Sequence, residues 1–288
     1  MRVTLIFSTF AFTTEKSDRM KKPRVLYISQ EITPYLPESE MAMISRHLPQ
    51  GIQERGREIR TFMPRFGLVN ERRNQLHEVI RLSGMNLIIN DTDHPLIIKV
   101  ASIQAARMQV YFIDNDDYFQ RKATMTDDNG VGFPDNDERA IFFARGVLET
   151  VRKLRWTPDL VHCHGWFTSI IPLYIKKVFY DDPLFGHTKV VCSLYQDGFK
   201  STLNQSFKEK LMMPGIKPED VDVISVPDFV HISQMAVSNS DAVILGSRTI
   251  DAEIDRFLKK SGKPVLEYQD PDNYIEAYSD FYQDVLGV

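Results

Sequence analysis

The feature that most constrains this chain is an alternation. Short β-branched and aliphatic runs, Val25-Leu26-Tyr27-Ile28 the first of them, are separated by longer stretches of helical periodicity. Strands at 24–29, 58–63, 159–163, 189–194, 241–245 and 264–267 alternate with helices at 38–55, 137–156, 166–179, 204–213, 227–238 and 249–260, and a last helix spans 271–285. A chain patterned in this way builds a largely parallel sheet covered by helices on both faces. Between 77 and 113 the pattern changes to strand-like runs at 77–82, 86–90, 96–103 and 108–113. The turn pairs Asn90-Asp91 and His94-Pro95 fall among them, which predicts an antiparallel excursion. The expected fold class is α/β, a single Rossmann-like domain with a mainly parallel sheet and no internal repeat. Locally, Gly56 should stop the first helix, Pro49 should kink or break it, and Asp135 with Glu138 should form a capping box for the helix at 137–156.

Composition narrows the partners. With 35 basic and 39 acidic side chains the net charge is −4, which argues against a main task of neutralising nucleic-acid phosphates or anionic lipid. No apolar run approaches the ~20 residues of a membrane-spanning helix. Neither a nucleic acid nor a membrane is therefore an expected partner. The two cysteines, Cys163 and Cys192, lie in apolar strands; they form no disulfide framework and are too few for a cysteine zinc site, so a reduced, cytoplasmic setting is expected. Residues 1–19 carry a short apolar run, Val3 to Phe12, without a cleavage pattern. They are expected to be an extension ahead of a functional start at Met20, with 20–288 forming the domain.

The common nucleotide motifs are missing. No G-x-G-x-x-G follows the first strand, Ser261-Gly262-Lys263-Pro264 is not a P-loop, and no G-x-S-x-G occurs. No cofactor is implied. His162-Cys163-His164 places two imidazoles on one face of a strand and the thiol on the other. Two ligands fall short of a zinc site, so no metal is expected. Position matters more than identity: the pair ends a central strand, where open α/β sheets form ligand crevices. Trp166 follows directly.

Several segments together resemble the N-terminal catalytic domain of bacterial glycogen and starch synthases. Arg24-Val-Leu-Tyr-Ile-Ser-Gln-Glu31-Ile-Thr-Pro34-Tyr35 looks like that family's opening strand and Glu-x-x-Pro-aromatic turn. His47-Leu48-Pro49, Arg55 to Arg60, Met63-Pro64-Arg65-Phe66, Val110 to Asn115, Asp137 to Phe143 and Pro158 to Trp166 are similar to later landmarks, in order, so the likeness runs from about 24 to 260. It implies the N-terminal half of a glycosyltransferase B fold, with the final helix resembling the one that crosses back from the donor-binding domain.

The departures from the family pattern direct the functional expectation. Where the family carries a Lys-Thr-Gly-Gly-Leu loop for the nucleotide-sugar phosphates, this chain reads Pro37-Glu38-Ser39-Glu40, whose carboxylates would repel a diphosphate. The family's His-Asp-Trp-His reads His164-Gly165-Trp166-Phe167 here, and Thr-x-His-Asn reads Cys192-Ser193-Leu194-Tyr195. The resemblance therefore implies a degenerate synthase domain lacking the donor-binding domain, which binds α-glucan or another carbohydrate through His164, Trp166 and Tyr195. His164 is the sole catalytic candidate. Two alternatives stand beside it: an active α-1,4-glucan glucosyltransferase completed by a partner, and a regulatory module with a protein partner on the exposed former domain interface. Asp114, Arg139 and Asp159 are expected to be architectural.

Overall fold

The computed structural model describes residues 22–288. The segment 1–19 and the start at Met20 lie outside the described residues. In chain order the elements are β1 (Arg24–Ser29), α1 (Glu40–Glu54), β2 (Glu58–Pro64), β3 (His77–Glu78), β4 (Met85–Ile89), β5 (Thr92–Ile103), β6 (Met108–Asp114), α2 (Asp116–Phe119) and α3 (Asn136–Leu154). They continue with β7 (Leu160–His164), α4 (Ile170–Leu173), β8 (Lys189–Leu194), α5 (Phe207–Leu211), α6 (Phe229–Asn239), β9 (Ala242–Leu245), α7 (Ala252–Ser261), β10 (Val265–Leu266) and α8 (Tyr274–Leu286).

The sheet runs β10-β9-β8-β7-β1-β2-β6-β5-β3, with β4 hung on β5. From β10 to β6 every pair is parallel; β5 pairs antiparallel with β6, and β3 and β4 pair antiparallel with β5. This is the α/β class read from the sequence, with the excursion where the turn residues place it. Strands β1, β7 and β8 are buried almost throughout, as strands covered on both faces must be. One face, with Leu26, Ile28, Val161 and Cys163, packs under α3, α4 and α6 in the larger core. The other, with Val25, Tyr27, Leu160 and Val191, packs under α1 and α8. Among the described residues no helix is long and apolar enough to cross a membrane.

Three local expectations fail for tertiary reasons. Helix α1 runs through Pro49 unbroken; Pro49 is buried beside Leu48 and Ile52, so burial of this face compensates the missing backbone bond. The run 77–82 pairs only at His77 and Glu78, because the chain turns at Val79, whose carbonyl accepts from Leu82 at 2.9 Å. Asp135 makes no capping bond. It pairs instead with Arg121 at 2.5 Å, while Glu138 turns to Lys210 at 2.7 Å; an available guanidinium or ammonium outcompetes the backbone donor.

The last helix lies on the sheet. Tyr274, Tyr278 and Tyr282, four residues apart, form one buried stripe. Tyr282 OH meets His162 Nδ1 at 2.6 Å, and Arg57 Nη2 donates to Ser279 O at 3.2 Å. Gly51 permits the close approach of α1 and α8, since a Cβ there would stand 2.5 Å from Ile275 Cγ2. The family landmarks behave as ties. Asp159 accepts from Arg24 N at 2.7 Å, and Asp114 pairs with Arg65 and Lys99 at 2.8 and 2.9 Å. Fully buried Arg139 donates to Tyr118 O, Asn136 Oδ1 and Thr124 O at 2.6–2.8 Å.

Removing the Tyr282 hydroxyl leaves a buried imidazole nitrogen unpaired. Tyr282→Phe is expected to cost about 1–3 kcal/mol in urea unfolding, whereas exposed Tyr180→Phe leaves stability unchanged. Equal effects from the two would contradict this role for the contact.

Candidate functional site at the strand-order reversal

Chain order along the sheet reverses between β1 and β7. Beyond the carboxyl ends of such a strand pair the connecting loops must part, leaving a crevice. The two exits are tied together: Gln30 N donates to His164 O, and Gln30 Oε1 accepts from Phe167 N, each at 3.1 Å. Gly165 makes this closure feasible. Its φ is +85°, and a Cβ would stand 2.9 Å from both Gln30 Oε1 and Met41 Sδ.

His162 and His164 stack with ring centroids 3.8 Å apart. His162 contacts Ser193 Oγ at 2.7 Å through Nε2, and His164 contacts Tyr195 OH at 2.8 Å through Nδ1. His164 Nε2 has no partner among the described residues. Burial pushes the His164 imidazole down to about 3 and that of His162 well below its usual value, the second also through its neighbour. Both are neutral rings inside the protein. His164 and Tyr195 are both buried and bonded to each other, and Tyr195 also lines a small cavity at the start of α1.

Trp166 stands apart from them, in the wall of a crevice of about 750 Å³ that Phe133, Asn136, Asp197, Phe199 and Asn204 also line. Phe199 meets the indole edge-on at 4.7 Å. Asp197 accepts from Trp166 N at 3.0 Å. Burial pushes this carboxyl up to about 7 against the pull of that N–H, and Glu31 raises it further.

A second, smaller cavity of about 230 Å³ joins the start of α1 to Tyr195. Ser39 is the N-cap of α1, accepting from Ala42 N at 3.0 Å while its hydroxyl donates to Glu31 at 2.7 Å. Glu40, in the first helical turn, accepts from Ser247 Oγ at 3.0 Å. Pro37 and Glu38 are exposed just outside. The described residues lining this cavity include three carboxylic acids, Glu31, Glu40 and Asp197, and no cation. The positive end of the helix dipole is thus answered by the chain's own acidic groups.

Sequence reasoning put His164 and Trp166 at a strand end with Tyr195 near the next, but missed Asp197, Phe133 and Phe199. Asp197 follows closely on the end of β8, a strand-end position that could have flagged it. Phe133 comes from the loop before α3 and left no such signal. Among the described residues no group of His, Cys, Asp or Glu side chains is arranged to hold a metal ion.

A doubly wound parallel sheet with its crevice at the reversal defines the Rossmann-like class of ligand-binding α/β domains. Within that class, the family model of the starch synthase catalytic domain matches residues 24–264, and the chain belongs to this family. It is similar to the glycogen synthase of Chlorobium limicola, 33% identical over 234 residues that make up 80% of this chain and 47% of the relative. It is equally similar to that of Chlorobaculum tepidum, 33% identical over 92% of this chain and 52% of the relative. The chain thus spans about half the length of these relatives. The catalytic domain of starch synthase IV from Arabidopsis thaliana, solved bound to ADP and acarbose, shares the fold with a TM-score of 0.69 at 18% identity, over 88% of this chain and 53% of that one.

The buried titratable groups set a pH dependence. His162 and His164 titrate lower in the folded state than in the unfolded chain, so the unfolded chain binds more protons below about 6.5 and stability falls as pH drops through that range. Asp197 acts oppositely, its folded carboxyl holding a proton up to about 7 and its contribution fading as pH rises toward that value. Unfolding free energy is therefore expected to fall on acidification from pH 6.5 to 5.5, more steeply in Asp197→Asn and less steeply in His164→Gln. A slope unchanged in both variants would remove these groups as its source.

Proposed function

We propose that the chain binds carbohydrate, an α-glucan segment foremost, in the crevice walled by Trp166, Phe133 and Phe199, and does not itself transfer glucose from a nucleotide sugar. The observation that carries the second half is the acidic start of α1. A nucleoside diphosphate brought there would face Glu31 and Glu40 with no cation lining the cavity, and like charges at such range repel. Retaining glycosyl transfer depends on stabilising the departing diphosphate, which this arrangement opposes. The crevice has what sugar recognition needs: aromatic faces, with Asn136, Asp197 and Asn204 as hydrogen-bonding groups. The relatives are named glycogen synthases and the structural neighbour was solved with acarbose, which favours a glucan over an unrelated sugar. Residues 22–288 act as one unit closed by α8, and the free thiols of Cys163 and Cys192, neighbours in register, suit a reducing, cytoplasmic compartment.

One observation favours the active reading, a glucosyltransferase completed by a second domain or chain: the family match spans most of this sequence but about half of each relative. The third reading, a protein partner, would use the groove of about 740 Å³ between the start of α1 and Tyr268–Ile275.

Isothermal titration separates these readings. Maltoheptaose is expected to bind and ADP-glucose to give no heat, with Phe133→Ala and Phe199→Ala each weakening the glucan by roughly tenfold. Transfer of labelled glucose from ADP-glucose to glycogen, abolished by His164→Ala, would establish the active reading instead. Silence with both ligands would reject the carbohydrate reading and direct the search to a protein partner.

A further inference from the structure

The hairpin that leads into Phe133 carries a chemistry of its own. Asn129-Gly130 is the one Asn-Gly pair in the sequence, and it lies at the tip of a turn whose residues Asp127 to Val131 are all exposed. Thr126 and Gly132 form an antiparallel bridge at its base. Asp127 N donates to Val131 O at 2.9 Å, and Gly130 N donates to Asp127 O at 3.0 Å. This is a three-residue hairpin loop, and Gly130 supplies the left-handed third position with a φ of +77°. A Cβ at Gly130 would meet nothing within 4 Å, so no neighbour crowds this peptide.

An asparagine loses its amide when the next residue's peptide nitrogen attacks the side-chain carbonyl, and a side chain on that next residue hinders the approach. Glycine presents none. Every other asparagine precedes a larger residue, Ser240 after Asn239 being the smallest. Asn239 is moreover fixed in α6, its amide donating to Met235 O at 2.9 Å. At the hairpin tip, Asp127 acts as a clasp. Its Oδ1 accepts from Asn129 N at 2.9 Å and from Val131 N at 2.8 Å. The Val131 N–H holds this carboxyl below its usual range, and Asn129 adds to the effect, so the clasp is ionised at neutral pH. While it is closed, the Gly130 N–H is committed to Asp127 O. An exposed hairpin tip opens at low cost, and each opening frees that nitrogen.

We infer that Asn129 is a site of spontaneous deamidation, timed by the Asp127 clasp, which rebuilds the hairpin wall of the crevice. The Gly130 nitrogen bonds to Asn129 Cγ, the Cγ–Nδ2 bond breaks, and ammonia leaves with the proton from Gly130. Water then opens the cyclic imide. Attack at Cγ gives an aspartate; attack at the main-chain carbonyl gives an isoaspartate, with the chain now routed through the former side chain. Either way one water is consumed and one ammonia released, with no oxidant or reductant. Both products set a carboxylate beside Asp127 and Asp128, and like charges at such range repel. The isoaspartate also adds a methylene to the backbone, which draws Gly130 N away from Asp127 O and unseats the bridge from Thr126 to Gly132. Phe133 follows directly, so that wall loses its anchor on one side while Met125 O and Arg121 hold the other.

The test is incubation of the full chain at mildly alkaline pH in water enriched in heavy oxygen, followed by peptide mapping and hydrogen exchange. Heavy oxygen is expected in the peptide containing Asn129, with isoaspartate in excess over aspartate and faster amide exchange at Val131 in the converted chain. Asp127→Ala, at an exposed turn position that leaves the fold intact, should accelerate the conversion severalfold, and Asn129→Gln should abolish it. A synthetic peptide of residues 124–134 sets the unrestrained rate. No incorporation in the full chain or in Asp127→Ala while that peptide converts would overturn the assignment, as would faster incorporation at Asn90 or Asn239. An unchanged rate in Asp127→Ala would overturn the timing by the clasp. The readout is covalent, so it stands or falls apart from the glucan reading.

Discussion

The parallel pairing of β1 with β7 is the constraint on which the rest of the molecule depends. It joins residues far apart in sequence, Val25 with Leu160 and Ser29 with His164. It also sets the point from which strand order runs outward both ways. Once those strands lie side by side, the segments leaving their carboxyl ends must diverge, and a crevice follows from connectivity before any particular side chain is chosen. Gly165 and Gln30 then decide how tightly the two exits are drawn together.

Chemistry at the two ends of the sheet is opposite in sign. At the carboxyl end, Glu31, Glu40 and Asp197 surround the start of α1; at the amino end, Arg57, Arg60, Arg107 and Lys22 surround its finish. A net charge of −4 conceals this separation, because it sums over two fields that a ligand meets one at a time. Both arrangements complement the helix dipole, acidic groups at its positive start and basic groups at its negative finish.

What the sequence disclosed, and what it did not, divides along physical lines. Strands β1, β7 and β8 were legible because burial on both faces demands unbroken apolar runs, and the excursion because turn residues punctuate it. Asp135 misled because its guanidinium partner, Arg121, lies elsewhere in the chain. Pro49 misled because packing of the buried face outweighs one lost backbone bond. For the site, the spacing of His162 and His164 correctly placed both rings on one face. It could not indicate that Tyr195 and Tyr282 would draw those rings inward, since those hydroxyls arrive from β8's end and from the last helix. Phe133 and Phe199 belong to loops, where no periodicity marks which way a ring turns.

The tyrosine stripe of α8 has a consequence for how the chain is made. It covers Val25 and Tyr27 of the first strand with side chains of α8, which is synthesised long after them. Until Tyr282 has left the ribosome, one face of the central strands stands uncovered, and no amount of folding by the preceding segments can bury it. Premature termination between Leu266 and Tyr274 would thus yield a complete sheet with a sticky face, a substrate for chaperones and proteases rather than a smaller working domain.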